Sequence, residues 1–193
     1  TGSIYRAVTY GLISNQISFK DTKSIMDFLE SLKLRFSNSK KGTGLILNDN
    51  NVTDFIRSNT ISENVSEVSA IKIVRDFMVK IQRQMASDTD CILEGRDIGT
   101  VVFPNAELKI FMTASAKTRA TRRYQELINR GDVVNFEDVL HNVQERDYID
   151  SHRKDSPLIK AEDAIEIDNS NLSLDEQLQK ILQLAIITLE DGE

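Results

Sequence analysis

The sequence predicts an α/β fold built on a parallel sheet with helices on both faces, and three observations carry that expectation. Short apolar runs at Cys91–Leu93, Leu108–Met112 and Ala164–Ile167 have the length and composition of strands. Long stretches with apolar residues at helical spacing separate them, as the crossovers between parallel strands require. Charged or turn-forming residues follow each run directly: Glu94-Gly95-Arg96-Asp97, Thr113-Ala114-Ser115 and Asp168-Asn169-Ser170. The sequence contains no internal repeat and no low-complexity tract.

From the first residue onward, an apolar stretch through Ile13 predicts a helix, and residues 20–34 predict a second with Ile25, Phe28, Leu29 and Leu32 on one face. The texture then changes. Leu34–Phe36 and Gly44–Leu47 predict short strands and Asp49–Asn51 a turn, together a small, partly β insert within the same domain. Thr60 and Glu63 form an expected capping box. The helix it opens carries Val65, Val68, Ile71, Val74, Met78, Ile81 and Met85 on one face and stops near Ser87-Asp88. After the second strand a charged helix runs to about Arg130, where Gly131 is an expected C-cap glycine, and another spans about 136–151. Ser173 and Glu176 form a second expected capping box, opening a helix with Leu174, Leu178, Ile181, Leu182, Ala185 and Leu189.

A chain of 193 residues fits one globular domain. No segment has the apolar length of a membrane span or the pattern of a signal peptide. Cys91 is the single cysteine, so no internal disulfide can form, and a reducing cytoplasm is the expected location. A net charge of −6 argues against a general nucleic-acid binder. The arginines nevertheless cluster at Arg119, Arg122, Arg123 and Arg130, with Arg146 and Arg153 one segment later. Local arginine clusters in an acidic protein suit a small anionic ligand.

In an open parallel sheet, ligands bind at the carboxyl ends of the strands, where Glu94-Gly95-Arg96-Asp97 is expected. Arginine can pair with a phosphate through two hydrogen bonds, and an adjacent carboxylate can accept from a base amine or a magnesium-bound water. A surface salt bridge after a strand is the plain alternative. Arg119, Arg122 and Arg123 share a helix face, as do Arg146, Asp150 and Arg153. Such faces can close over a polyphosphate, or can simply be solvated and paired with Glu126, Glu145 and Asp147. No lysine is interleaved among Arg119, Arg122 and Arg123, which favours planar phosphate recognition. His141 and His152 have no metal-ligand spacing and are expected to be structural or surface residues, Cys91 is expected in the core, and no metal-ligating residues are assigned.

The run Gly95-Arg96-Asp97-Ile98-Gly99-Thr100-Val101-Val102-Phe103-Pro104 closely resembles the corresponding segment of bacterial cytidylate kinases. The similarity continues through Leu108–Phe111, Arg122-Arg123, Val134–Glu137, Glu145-Arg146-Asp147, Ser156-Pro157-Leu158 and Leu172–Leu174, and includes the opening Thr1-Gly2-Ser3-Ile4-Tyr5-Arg6. The stretch from about 20 to 58 is the least similar. The resemblance implies a single nucleoside-monophosphate-kinase domain over 1–193, partial in this chain. It has a parallel core, a CMP-binding insert region at about 20–86 and an arginine-rich lid at about 116–153. It further implies that Thr1 and Arg6 border the CMP site, with Arg6 reaching the monophosphate. Ser66 and Arg75 contact cytosine, Arg96 holds the CMP phosphate and Asp97 recognises the cytosine amine. Arg146 and Arg153 contact phosphates, Asp150 accepts the ribose hydroxyls, and Arg122 and Arg123 lie in the lid over ATP. Arg96, Arg122, Arg123 and Arg146 are the implied catalytic set. Glu94 stands where many relatives have aspartate.

The phosphate-binding loop G-x-x-x-x-G-K-[ST] does not occur in these residues. The expectation is therefore that the natural chain begins upstream and that the first core strands are missing here. On this reading a monomeric kinase transfers a phosphoryl group from ATP, with Mg2+, to CMP or dCMP. The alternative is a non-catalytic CMP-binding or interaction module. A kinase of the same superfamily acting on UMP or a shikimate-like molecule ranks last, because it would need a different specificity strand.

Overall fold

The computed structural model describes residues 1–39, 42–87 and 90–190. The chain divides into two compact units, Thr1–Ile98 with Arg153–Asp155, and Gly99–His152 with Ser156–Glu193. The first contains the whole 20–86 region, and the second holds residues 116–152 of the expected lid.

In the first unit, α1 (Gly2–Ser14) buries Ile4, Val8 and Leu12, residues four apart that form one helical stripe. The second helix, α2 (Thr22–Glu30), is shorter than the sequence predicts. Asp21 caps it by accepting from Ser24 N at 3.1 Å, and Ile25, Phe28 and Leu29 face the core. α1 approaches α2 at Gly11, where any β-carbon would overlap the Phe28 ring. Strands β1 (Leu34–Ser39), β2 (Gly42–Leu47) and β3 (Asn50–Asn51) form an antiparallel sheet in that order, with Leu34 opposite Leu47 and Phe36 opposite Leu45. The turn into β3 falls at Asn48-Asp49, a residue earlier than expected. Both have positive φ, 43° and 66°, as a two-residue hairpin turn demands, and asparagine and aspartate tolerate that region.

The single long helix expected after Thr60 is two helices, α3 (Asn59–Ala70) and α4 (Lys72–Met85). Ser58, not Thr60, is the N-cap, with its hydroxyl accepting from Ile61 N at 3.5 Å. Ile71 between them is extended, with φ −70° and ψ 117°. Helix geometry explains the break. Val65 and Val74 are both buried, yet in one continuous helix nine residues would place them about 180° apart. The extended Ile71 resets the phase so that both stripes meet the core of Ile25, Leu45, Val52, Val68 and Met78. Of the expected end at Ser87-Asp88, Asp88 lies outside the described residues.

Residues 91–93 form no strand, contrary to expectation, and Ile92 is 99% exposed. Apolar composition is only half of a strand; the other half is a neighbouring ladder to pair with, and among the described residues these have none.

In the second unit β4 (Ile110–Thr113) and β5 (Ile165–Asp168) pair in parallel, Ile110 opposite Ile165 and Thr113 opposite Asp168. α5 (Ala116–Asn129) starts at Ser115, whose hydroxyl accepts from Thr118 N at 3.0 Å, and ends before Gly131, whose φ of 89° suits a glycine C-cap. α6 (Phe136–His152) packs on α5 through Ala120, Leu127 and Val139, with Tyr124 and Phe136 edge to face at 5.8 Å. The Ser173–Glu176 capping box forms as expected: Ser173 N donates to Glu176 Oε2 at 2.8 Å and Glu176 N to Ser173 Oγ at 3.2 Å. It opens α7 (Leu174–Glu190), none of whose residues is buried. No helix of the described residues is long and apolar enough to cross a membrane.

Candidate active site

The first unit carries a buried ion pair. Arg75 projects from α4 at 3% exposure and its Nη2 bonds Asp97 Oδ2, itself on a carboxylate 8% exposed. Arg75 Nη1 donates to Ser69 O at 2.9 Å and so satisfies a carbonyl at the end of α3. The break at Ile71 thus shapes this arrangement. It separates Ser66 on α3 from Arg75 on α4, and the guanidinium spans back across it. Both buried residues, Ser66 and Arg75, are ones the family resemblance implies for base recognition. The Arg75 guanidinium also lies 5.9 Å from the centre of the Tyr5 ring. Burial raises the Tyr5 hydroxyl pKa above its ordinary value; Arg75 opposes that rise and Asp97 adds to it. Tyr5 thus stays a neutral donor and acceptor beside the pair.

Arg6, one residue on, donates from Nη1 to Ser62 Oγ at 2.9 Å and to Ile56 O at 3.3 Å. Its charge is anchored to α3 and to the short 3-10 turn Phe55–Arg57. Thr1 Oγ1 donates to Glu94 O at 2.5 Å and thereby holds the segment that leads into Arg96 and Asp97. Gly95 is required there for space. A β-carbon would stand 2.6 Å from Thr1 Oγ1 and 2.8 Å from Ile98 Cγ1. Gly95→Val should therefore displace the Arg96–Asp97 segment, lowering stability by about 1–3 kcal/mol in urea unfolding, with the fold retained in circular dichroism. Arg96 is exposed while its neighbour Asp97 is buried, so one dipeptide presents an outward cation and an inward carboxylate.

In the second unit the arginine face of α5 makes several protein contacts. Arg119 forms a two-pronged pair with Asp147 of α6, Nη1–Oδ1 at 2.8 Å and Nη2–Oδ2 at 2.6 Å. Arg122 donates to Asn169 O at 2.7 Å and Oδ1 at 3.1 Å, after β5. Arg123 pairs with Glu126 at 2.8 Å. Arg146 and Asp150 lie on α6, with Asp150 only 4% exposed and its carbonyl accepting from Leu158 N at 2.7 Å. Arg153 lies beyond the last residue of α6 and belongs to the first unit, so the expected continuous helical face of Arg146, Asp150 and Arg153 ends at Asp150. Lys109 Nζ bonds Pro104 O at 2.5 Å and Asp163 Oδ2 at 2.6 Å, and its stem packs beneath Gly99, which fastens the 99–104 segment.

Cys91 is exposed, not in the core, because the strand that would have buried it does not form. His141 and His152 are exposed, with His152 stacked on Tyr148 at 4.1 Å. Among the described residues no group of three or more His, Cys, Asp or Glu side chains could hold a metal ion. Sequence reasoning passed over two buried polar residues beside the ion pair, Tyr5 and Gln82. The signal for Gln82 was its place seven residues after Arg75, two turns along one helix face.

Comparison with known proteins identifies the family. Residues 1–186 match the family model described as cytidylate kinase. The chain is 50% identical over 189 residues to the cytidylate kinase of Flavobacterium psychrophilum, covering 95% of this chain and 84% of that protein. It is 50% identical over 189 residues to the cytidylate kinase of Flavobacterium johnsoniae, with 95% and 82% covered. It is 46% identical over 181 residues to that of Fusobacterium nucleatum, with 94% and 81% covered. A match of this extent, running through the α/β elements and through the Arg75, Arg96 and Asp97 positions, places the chain in the cytidylate kinase family.

Proposed function

We propose that this protein transfers the γ-phosphoryl group of ATP to CMP or dCMP, giving CDP or dCDP and ADP. The observation that carries the reading is the buried Arg75–Asp97 pair, with Ser66 buried on the preceding helix, in a chain of the cytidylate kinase family. Cytosine offers an exocyclic amine and an adjacent ring acceptor. A buried carboxylate and guanidinium supply the complementary acceptor and donors, and leaving them unmatched by a wrong base is costly.

In this proposal Ser66, Arg75 and Asp97 read the base, with Thr1 bordering the site. Arg6, Arg96 and Arg153 hold the monophosphate, and Asp150 accepts from the ribose hydroxyls. Arg122, Arg123 and Arg146 offset negative charge on ATP. A phosphate oxygen of CMP attacks the γ-phosphorus in line with the departing ADP oxygen, and positioning and charge neutralisation do the work that a general base does elsewhere. Mg2+ enters as part of the ATP substrate and neutralises its phosphates. Residues 116–153 act as the lid over ATP and 20–86 as the CMP-binding region. Two paired strands are few for an independent sheet, and Met112 and Ile165 stay exposed. These facts support further core strands beside β4 and β5 in the natural polypeptide.

The test is ADP formation from ATP by the natural polypeptide, with CMP, dCMP or UMP as acceptor. ADP formed with CMP and dCMP, and far less with UMP, is the expected result. Tight CMP binding with no CMP-dependent ADP would instead make the protein a binding module.

A further inference from the structure

Next to the ion pair, three groups are left with complementary and unused hydrogen-bonding atoms. Arg75 Nε, Gln82 Nε2 and Oε1, and Tyr5 Oη are buried without a well-formed hydrogen bond among the described residues. Gln82 is 2% exposed and Tyr5 9%. Arg75 and Gln82 share one face of α4, and the Tyr5 ring from α1 sits under the Arg75 guanidinium at 5.9 Å. A weak hydrogen bond with the Gln82 amide is among the influences on the Tyr5 hydroxyl and lowers its pKa, after burial and the charges of Arg75, Asp97 and Arg153. The amide and the phenol are thus neighbours.

A buried amide that makes no well-formed hydrogen bond destabilises the free protein, and methionine of nearly the same shape would avoid that cost. The polar atoms therefore have their use in another arrangement of the same groups. Arg75 Nε is a donor, Gln82 Oε1 an acceptor, Gln82 Nε2 a donor and Tyr5 Oη an acceptor. In that order they make one continuous chain of hydrogen bonds.

We propose that Gln82 is a positioning residue for base recognition, closing an Arg75–Gln82–Tyr5 hydrogen-bond chain that aims the guanidinium when the nucleotide base is bound. The inference rests on the reading of Arg75 and Asp97 as the base site. Base binding draws the Arg75 terminal nitrogens and the Asp97 carboxylate onto the ligand, and the chain through Nε keeps the guanidinium from following other rotamers. Energy withheld in the free state is returned in the complex, so the effect appears in nucleotide affinity and not in stability.

The experiment compares Gln82→Met, Tyr5→Phe, the double variant and Arg75→Met in the natural polypeptide. CMP affinity is read by calorimetry, KM and kcat by turnover, and thermal unfolding without nucleotide. Gln82→Met is expected to bind CMP about tenfold more weakly, with KM raised, kcat little changed and the unfolding midpoint unchanged or higher. Tyr5→Phe should weaken CMP by a similar factor, and the double variant should be no weaker than either single one. A Gln82→Met protein with a lowered midpoint and wild-type CMP affinity would show a merely structural amide and overturn the proposal. If that variant does not fold, wild-type CMP affinity in Tyr5→Phe overturns the proposal equally. Wild-type CMP affinity in Arg75→Met would instead remove the base-site reading itself.

Discussion

Arg75→Met is expected to lower the stability of the nucleotide-free protein by about 3–5 kcal/mol, as removal of one member of a buried ion pair does. The side chain is 3% exposed, and the Asp97 carboxylate it faces is 8% exposed, so neither charge has water to fall back on. Methionine fills much of the volume but offers nothing to Asp97 or to the Ser69 carbonyl at the end of α3. Two losses follow from one substitution: a buried carboxylate deprived of the Arg75 guanidinium and a helix terminus left uncapped. Urea unfolding measures the sum. The Arg75→Met/Asp97→Asn double variant should recover part of it, because the buried charge is then gone while the cap is still missing. A single variant within about 1 kcal/mol of wild type would show that the pair is solvated in solution. CMP binding should fall with Arg75→Met under every denaturant-free condition, since the group removed is also the proposed base contact.

Arg96→Ala is expected to do the opposite: leave stability nearly untouched and remove turnover. Arg96 is exposed and follows a glycine in a bend, so its truncation vacates no core volume, and a change within about 0.5 kcal/mol is expected. Its guanidinium is the proposed fixed partner of the CMP phosphate. Loss of one such charge-stabilising donor lowers kcat/KM for CMP by roughly 10²–10³. Calorimetry and initial rates on the same preparation separate binding from chemistry. A wild-type rate with CMP would move the phosphate contact elsewhere. The contrast between Arg75 and Arg96 is itself informative. One acts from inside the fold and the other from its surface, although both come from the same proposed pocket.

Much of this was legible in the residues. The Gly131 C-cap and the Ser173–Glu176 capping box are local, since their partners lie within a turn in sequence, and both form as the sequence predicts. That β4 and β5 are strands of a parallel sheet followed from two apolar runs of the right length; that they pair with each other did not. The ten residues from Gly95 to Pro104 were enough to mark the family, because so long a run constrains turn, helix and charge together.

Other features were not legible, each for an identifiable reason. The break at Ile71 was hidden because Val65, Val68, Val74 and Met78 are apolar at near-helical spacing, and only the direction in which each must face the core shows the change of phase. Cys91-Ile92-Leu93 has the composition of a strand but lacks a ladder partner, which no local pattern can report. The arginines of α5 read as a phosphate-facing row, yet Arg119 is held by Asp147, twenty-eight residues away. Which of several nearby carboxylates an arginine meets is decided when two helices dock.

The sequence by itself determined the α/β class, the Gly131 and Ser173–Glu176 caps and the family, because these depend on contiguous residues whose chemistry is local. Tertiary structure alone decided that Arg75 and Asp97 are buried against one another and that Tyr5 and Gln82 stand beside them. Burial and pairing across twenty-two positions are properties of packing: charge costs little in water, much in the core, and only the fold says which of the two a residue occupies.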